Sequence, residues 1–78
     1  MYKTAAKFYE VKTMDHSGVR LGHSVRVTTI TTDNATYRYC AAADRGCSRD
    51  YFVPSDAEAV KLFLGEYAET ITAITPSG

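Results

Sequence analysis

The chain has 78 residues, 45% of them hydrophobic and 23% charged, with nine basic and nine acidic side chains. A protein of this size buries only about 60% of its unfolded surface, so we expect a single domain, residues 1–78, with a thin core. No apolar stretch is long enough for a transmembrane helix, which excludes a membrane-spanning role.

The chain begins with two lysines among its first seven residues and has no apolar segment typical of a secretory signal peptide. Two cysteines, Cys40 and Cys47, in a chain without an export signal predict reduced thiols. We therefore expect a cytoplasmic location.

Alternating side chains predict β-strands through most of residues 1–53. The run from Ala5 to Met14 is β-like, and Asp15-His16-Ser17-Gly18 is typical of a turn. The strand that follows has two rows of side chains. One row contains Val25 and Val27, and the other contains Arg20, Arg26 and Ile30.

The loop after this strand decides which side chains share a face, because paired residues in a hairpin point the same way. A two-residue turn at Asp33-Asn34 would set Val27 opposite Cys40. A three-residue loop, residues 33–35, would set Val27 opposite Ala41. The three-residue loop is the favoured prediction, since it places the aliphatic and tyrosine rows on one side.

In this register Tyr37 and Tyr39 lie in the core, and Arg38 lies opposite Phe52 on the open face. A second three-residue loop, Asp44-Arg45-Gly46, is predicted for the next hairpin, with the glycine in the left-handed conformation.

The stretch Ser55-Asp56-Ala57-Glu58 is a capping box, which predicts the start of a helix. Apolar residues at helical spacing extend it over residues 55–71, although Gly65 weakens its middle or ends it early. Residues 70–75 are β-branched and alternating, so they form either the last helical turn or an edge strand. Residues 72–78 are a tail or a short edge strand.

These elements predict an α+β domain. Its sheet is a three- to four-stranded antiparallel meander over residues 1–53, and one C-terminal helix packs on one face.

The residue types of several reactive sites occur, but in unsuitable patterns. His16 and His23, like Cys40 and Cys47, are seven positions apart, whereas structural zinc sites use shorter spacings. Asp15-His16-Ser17 contains the residue types of a catalytic triad only as neighbours on a turn. We therefore predict no catalytic residue, no metal site and no cofactor, and the chain is not expected to be an enzyme.

Two surfaces are candidate partner-binding sites. Arginine beside exposed aromatic and aliphatic groups is enriched at interface hot spots, and the open sheet face is predicted to hold Ile30, Arg38 and Phe52, with Arg20 and Arg26 nearby. The alternative is that Phe52 or Ile30 turns inward or is covered by the first strand. The second surface is the acidic side of the helix, with Glu58, Leu62, Glu66 and Glu69.

Residues 51–64, Tyr-Phe-Val-Pro-Ser-Asp-Ala-Glu-Ala-Val-Lys-Leu-Phe-Leu, resemble the arm-type DNA-binding domain of tyrosine recombinases, a three-stranded sheet followed by a helix. The resemblance implies DNA binding, with Arg26 and Arg38 as the nearest contacts. The chain departs from it by lacking the lysine-rich segments that those domains carry around their strands and helix cap.

In scale and style the whole chain is also similar to small phage or mobile-element inhibitor proteins of the anti-CRISPR kind. That resemblance implies a compact domain that blocks a larger nucleoprotein complex by surface contact, in the cytoplasm of a bacterial host.

The predicted function is a non-catalytic protein-binding module of this inhibitor type, acting by steric occlusion. Its partner is a protein target, such as a nucleic-acid-binding complex, and not a membrane. A small DNA-binding domain is the alternative, disfavoured because both tyrosines are predicted to be buried and the net charge is zero. A self-assembling component that uses an exposed edge strand is a third possibility.

Overall fold

The structure, a computed structural model, describes residues 2–77. Its elements in chain order are β1 (Lys3–Met14), β2 (Arg20–Thr31), β3 (Thr36–Ala42), β4 (Gly46–Cys47), α1 (Asp56–Gly65) and β5 (Thr70–Ser77). The strands form one antiparallel sheet in the order β4-β3-β2-β1-β5. The α+β class is confirmed, but the sheet has five strands rather than three or four, and a strand follows the helix. Within residues 2–77, no helix has the length and apolar character needed to cross a bilayer.

The predicted turn after β1 is confirmed. The Oδ1 atom of Asp15 accepts hydrogen bonds from the backbone N–H of Ser17 and of Val19, both at 2.9 Å, and from the Ser17 hydroxyl at 2.8 Å. Bonds from Ser17 first, and then from Val19, lower the pKa of Asp15 below its ordinary value. Gly18, with φ +89°, supplies the left-handed residue.

The register between β2 and β3 differs from the prediction. Val27 pairs with Cys40, and Thr31 pairs with Thr36, so the turn has two central residues, Asp33-Asn34. The physical reason is the side chain of Thr32. Its Oγ1 accepts hydrogen bonds from the backbone N–H of Asn34 at 3.2 Å and from that of Ala35 at 3.0 Å. Because Thr32 satisfies these amides, the turn needs no third residue.

This one-residue difference exchanges the two faces of β3. Tyr37 and Tyr39, predicted to be buried, lie on the open face, and Arg38 and Cys40 lie on the face that α1 covers. An arginine is tolerated there because Asp56, in the first turn of α1, pairs with it at 2.7 Å. The placement of Arg38 on the open face was therefore wrong.

The next hairpin has a three-residue loop, as predicted, but over residues 43–45 because Ala42 pairs with Gly46. The left-handed conformation of Gly46 is confirmed, with φ +75°. Further along, Arg38 forms a bridge with Tyr51 instead of lying opposite Phe52. Tyr51 is consequently buried, whereas Phe52 is 68% exposed.

The core lies between α1 and the covered face of the sheet. Ser55 caps the helix, because its side chain accepts a hydrogen bond from the Glu58 N–H at 3.3 Å. The core consists of these buried side chains: Val11, Val25, Val27, Cys40, Ala42, Tyr51, Ala59, Val60, Phe63 and Leu64.

The helix is shorter than predicted, because it ends at Gly65 and not at residue 71. Two hydrogen bonds close its end: the Glu69 N–H donates to Leu64 O at 3.3 Å, and the Ala68 N–H donates to Gly65 O at 3.0 Å. This is the Schellman arrangement, which needs a left-handed residue, and Ala68 supplies it with φ +59°. Residues 70–75 are therefore part of an edge strand, β5, and not the last helical turn.

We predict that Ala68→Gly stabilises the protein by about 1 kcal/mol, because the left-handed conformation costs an alanine about that much and a glycine almost nothing. Urea unfolding at neutral pH measures the free energy of unfolding. The matched control is Ala57→Gly at an exposed position of α1, which should destabilise by about 0.5–1 kcal/mol. Equal destabilisation by both substitutions would contradict the role of Ala68.

Candidate functional site

The fold gathers ionisable groups at two places on the covered side of the sheet. At the first, the buried ring of His23 lies between two carboxylates, with Nδ1 2.7 Å from Asp44 Oδ2 and Nε2 2.6 Å from Glu69 Oε1. Glu69 also accepts hydrogen bonds from the Thr13 hydroxyl at 2.7 Å and from Arg45 Nε at 2.9 Å. The cluster therefore ties the connection between α1 and β5 to three other parts of the chain.

The contacts among Thr13, His23 and Asp44 resemble those of a catalytic triad, because the His23 ring lies between a hydroxyl and a carboxylate. Thr13 Oγ1 is 3.3 Å from His23 Nε2, and Asp44 contacts the Nδ1 atom. The hydroxyl of Thr13, however, donates to Glu69, and the residue is only 1% exposed. A substrate has no access to that oxygen, so the constellation does not present a nucleophile. Among residues 2–77, no group of three or more His, Cys, Asp or Glu side chains is placed to hold a metal ion. We interpret the cluster as structural.

Glu69 makes the stability of this cluster depend on pH. Burial raises its pKa, but hydrogen bonds from Arg45, Thr13 and His23 together outweigh burial and hold the pKa below the ordinary value of 4.5. A carboxylate with a lowered pKa stabilises the fold above its unfolded-state pKa and loses that contribution as the pH falls through the folded-state value.

We therefore predict that the free energy of unfolding falls as the pH is lowered from neutral into the range below 4.5, and that Glu69→Gln makes this dependence weaker. Urea unfolding at a series of pH values provides the measurement. Glu58→Gln, at an exposed carboxylate on α1, is the matched control and should leave the slope unchanged. If both variants keep the wild-type slope, the acid sensitivity has another origin.

The second polar cluster surrounds Asp56. Its Oδ1 accepts a hydrogen bond from Arg38 Nε at 2.7 Å, and its Oδ2 accepts one from the Tyr9 hydroxyl. Arg38 also donates to the carbonyl of Val53 at 2.6 Å. Burial, together with the bond to Asp56, raises the pKa of Tyr9 to about 12. Arg38 is thus paired within the domain, on the covered side of the sheet.

The opposite face of the sheet is left open, because no element within residues 2–77 packs on it. Phe8 on β1 pairs with Arg26 on β2, and Ile30 pairs with Tyr37 on β3. Phe52 packs against Tyr37 with the rings tilted by 42° and their centroids 5.1 Å apart. Phe8 is 55% exposed and Phe52 is 68% exposed. We call this surface the aromatic face and define it by Phe8, Arg26, Ile30, Tyr37, Tyr39 and Phe52.

A shallow groove of about 480 Å³ runs along one side of the aromatic face. Small side chains form much of it, among them Ala41 and Cys47, and Phe8 and Arg26 also line it. Tyr39 lies beside this groove, and a hydrogen bond to Cys47 is the first cause that raises its pKa. The groove is open and apolar, with an arginine at its border, which suits a protruding side chain better than a buried small molecule.

The predicted open-face site is kept in part. Four of its predicted residues lie on the open face: Arg20, Arg26, Ile30 and Phe52. Its predicted central residue, Arg38, lies on the covered face and pairs with Asp56. Three members of the aromatic face are not predicted from the sequence: Phe8, Tyr37 and Tyr39. The signal that identifies the two tyrosines is Thr32, whose hydroxyl favours the shorter turn.

The acidic surface of the helix is smaller than predicted. Glu69 lies beyond the end of α1 and is buried in the His23 cluster. Glu66 pairs with Arg49. Glu58 and Leu62 remain exposed, so this surface offers one free carboxylate beside one aliphatic side chain.

The two cysteines lie on opposite faces of the sheet, since Cys40 pairs with Val27 of the core and Cys47 pairs with Ala41 on the open face. Cys40 is fully buried, whereas Cys47 is exposed. Burial first, and then the charge of Asp56, raises the pKa of the Cys40 thiol to about 12. A buried thiol with a raised pKa reacts poorly, since the thiolate is the nucleophile.

We predict that a thiol reagent modifies one cysteine rapidly in the folded protein and the second only after denaturant is added. The fast thiol is Cys47, so Cys47→Ser should abolish the fast phase and leave the slow one. Two fast thiols in the native protein would contradict the burial of Cys40.

No protein-family model, curated protein or solved structure matches the chain. The function is therefore inferred from the surface itself, and the aromatic face is the candidate site.

Proposed function

We propose that the protein is a non-catalytic binding module that docks on a protein partner through the aromatic face. The observation that supports this is an uncovered sheet face with two exposed phenylalanines. Phe8 pairs with Arg26, and Phe52 contacts the half-buried Tyr37, which pairs with Ile30 further along β2. Aromatic and arginine side chains are enriched at protein interfaces, and Tyr and Arg are common among the few residues that dominate the binding energy. Grouped exposed apolar side chains on a small domain are typical of an interaction surface.

The charges around the aromatic face favour a protein over a nucleic acid as the partner. Arg20 and Arg26 lie in one row of β2, with Lys12 on the same face of β1, and Glu10 between these basic residues accepts a hydrogen bond from Ser24. Mixed charges of this kind steer a partner with a complementary pattern. They are a poor match to a polyphosphate, whose binding depends on concentrated positive charge.

The proposed mode of action is steric occlusion. A rigid sheet face that presents aromatic anchors covers a partner's surface without needing a pocket. This is the action expected of a phage-encoded inhibitor that blocks a host nucleoprotein complex, and we keep that class as the proposed role.

A second candidate function, binding of single-stranded nucleic acid, is favoured by one observation. Tyr37 and Tyr39 lie on the open face, where aromatic rings on a sheet stack against bases. The recombinase-arm form of this idea is weaker, because Arg38, one of its two nearest contacts, is paired with Asp56.

Replacing Phe52 with Ser tests the proposal. Because the side chain is 68% exposed, we expect the melting temperature to change little and partner capture to be lost. The matched control is Leu62→Ser, at a side chain that is 48% exposed on α1, which should keep the partner. Capture from bacterial lysate with tagged wild type and both variants, with and without nuclease, provides the measurement.

The outcomes separate the two candidate functions. A partner that survives nuclease and is lost with Phe52→Ser supports protein docking. Binding to a single-stranded oligonucleotide that weakens steeply with added salt supports the second candidate instead. Capture that depends on Leu62 and not on Phe52 would move the site to the helix and overturn both.

A further inference from the structure

The edge strand β5 is exposed in an unusual way. Within residues 2–77 it pairs only with β1, so its outer edge presents backbone groups without a strand beside them. Its eight residues, Thr-Ile-Thr-Ala-Ile-Thr-Pro-Ser, include no charged side chain. Most of them are β-branched, which suits further strand pairing. An uncharged edge of this length is a template for another strand.

The other free edges of the sheet carry features that oppose pairing. At the far side, β4 has two residues, and Arg49 and Asp50 follow it. At the other side of the sheet, β5 covers β1 only from Phe8 onward. Residues 3–7 of β1 are therefore a free edge too, and they include Lys3 and Lys7. Short strands and lysines are the usual protection of sheet edges. Only β5 lacks it.

A groove lies beside this edge. Ala57 and Lys61 of α1, together with Ile71 and Ile74 of β5, line a space of about 430 Å³. The two isoleucines pack partly against the core and remain half-buried. A bulge after Lys12 brings both to the helix side although they are three positions apart. A strand added to β5 would place its own side chains in this groove.

We propose that the partner of β5 is the β5 strand of a second copy of the chain. Antiparallel pairing about a twofold axis joins the two five-stranded sheets into one continuous sheet. Each copy then offers Ile71 and Ile74 to the groove of the other, which is the self-complementarity that a twofold interface requires. Because β5 has no charge, pairing it with itself creates no repulsion between like charges within the strand pair.

A second copy fits this edge better than a foreign peptide on two grounds. Ala57, Ile71 and Ile74 form the aliphatic part of the groove, beside Lys61 and Glu69, and the β5 strand of a second copy brings the same two isoleucines to that part. Twofold pairing also satisfies two exposed edges at once, whereas a bound peptide satisfies one. Both aromatic faces then lie on the same side of the joined sheet, so the dimer would present the proposed docking surface twice. The inference does not depend on that function.

Sedimentation over micromolar to millimolar protein, with Thr75→Lys and Ser24→Lys, tests the pairing. Glu10 of β1 pairs with Ser24 of β2 on one side and with Thr75 of β5 on the other. A lysine at either position would therefore lie beside the Glu10 carboxylate. Only the lysine at position 75 lies on the free edge. We expect wild type and Ser24→Lys to dimerise, and the dissociation constant of Thr75→Lys to rise about tenfold.

Hydrogen exchange gives an independent readout, because amides of β5 should become more protected as the protein concentration is raised. Wild-type protein that stays monomeric throughout overturns the proposal. So does a dimer that survives Thr75→Lys but is lost with Phe52→Ser, since that result assigns the contact to the aromatic face. Monomeric protein that instead binds an extended peptide along β5 also overturns it.

Discussion

The hydroxyl of Thr32 closes the turn between β2 and β3, and the rest of the molecule depends on that closure. By accepting hydrogen bonds from the amides of Asn34 and Ala35, it sets a two-residue turn and pairs Val27 with Cys40. With one more residue in the loop, every side chain of β3 would face the other way. The faces on which Arg38, the two tyrosines of β3 and Cys40 lie all follow from this register.

Two polar clusters then hold the short helix on the sheet. Asp56 at the start of α1 binds Arg38, and Glu69 beyond its end binds His23 and Arg45. Within residues 2–77, every deeply buried side-chain nitrogen or oxygen has a hydrogen-bond partner. That matters because an unpaired buried charge costs several kcal/mol, while a paired one is tolerated. A thin core is thus supplemented at both ends of α1 by groups that the sequence pattern alone would place on the surface.

This arrangement separates the stabilising chemistry from the surfaces offered to partners. The ionisable clusters lie on the covered side, and the aromatic face lies on the other, where Phe8 and Phe52 are more than half exposed. The uncharged edge of β5 is a third, separate surface. Substitutions on the aromatic face or on β5 therefore leave both clusters intact, which lets binding be examined apart from folding.

The sequence alone determined the class of fold, the first turn, the cap at Ser55 and the alternation of each strand, because these depend on neighbours along the chain. It also placed Arg26, Ile30 and Phe52 on the open face, although not Phe52 in its observed register. Alternation, however, distinguishes two faces without saying which one is buried, and a one-residue change in a loop exchanges them. The Thr32 hydroxyl favours one of the two turns locally, but only the tertiary structure makes the resulting register tolerable, because it pairs Arg38 on the covered face with Asp56, 18 positions away. A buried charge is identified by its partner, and the partner is brought to it only by the fold.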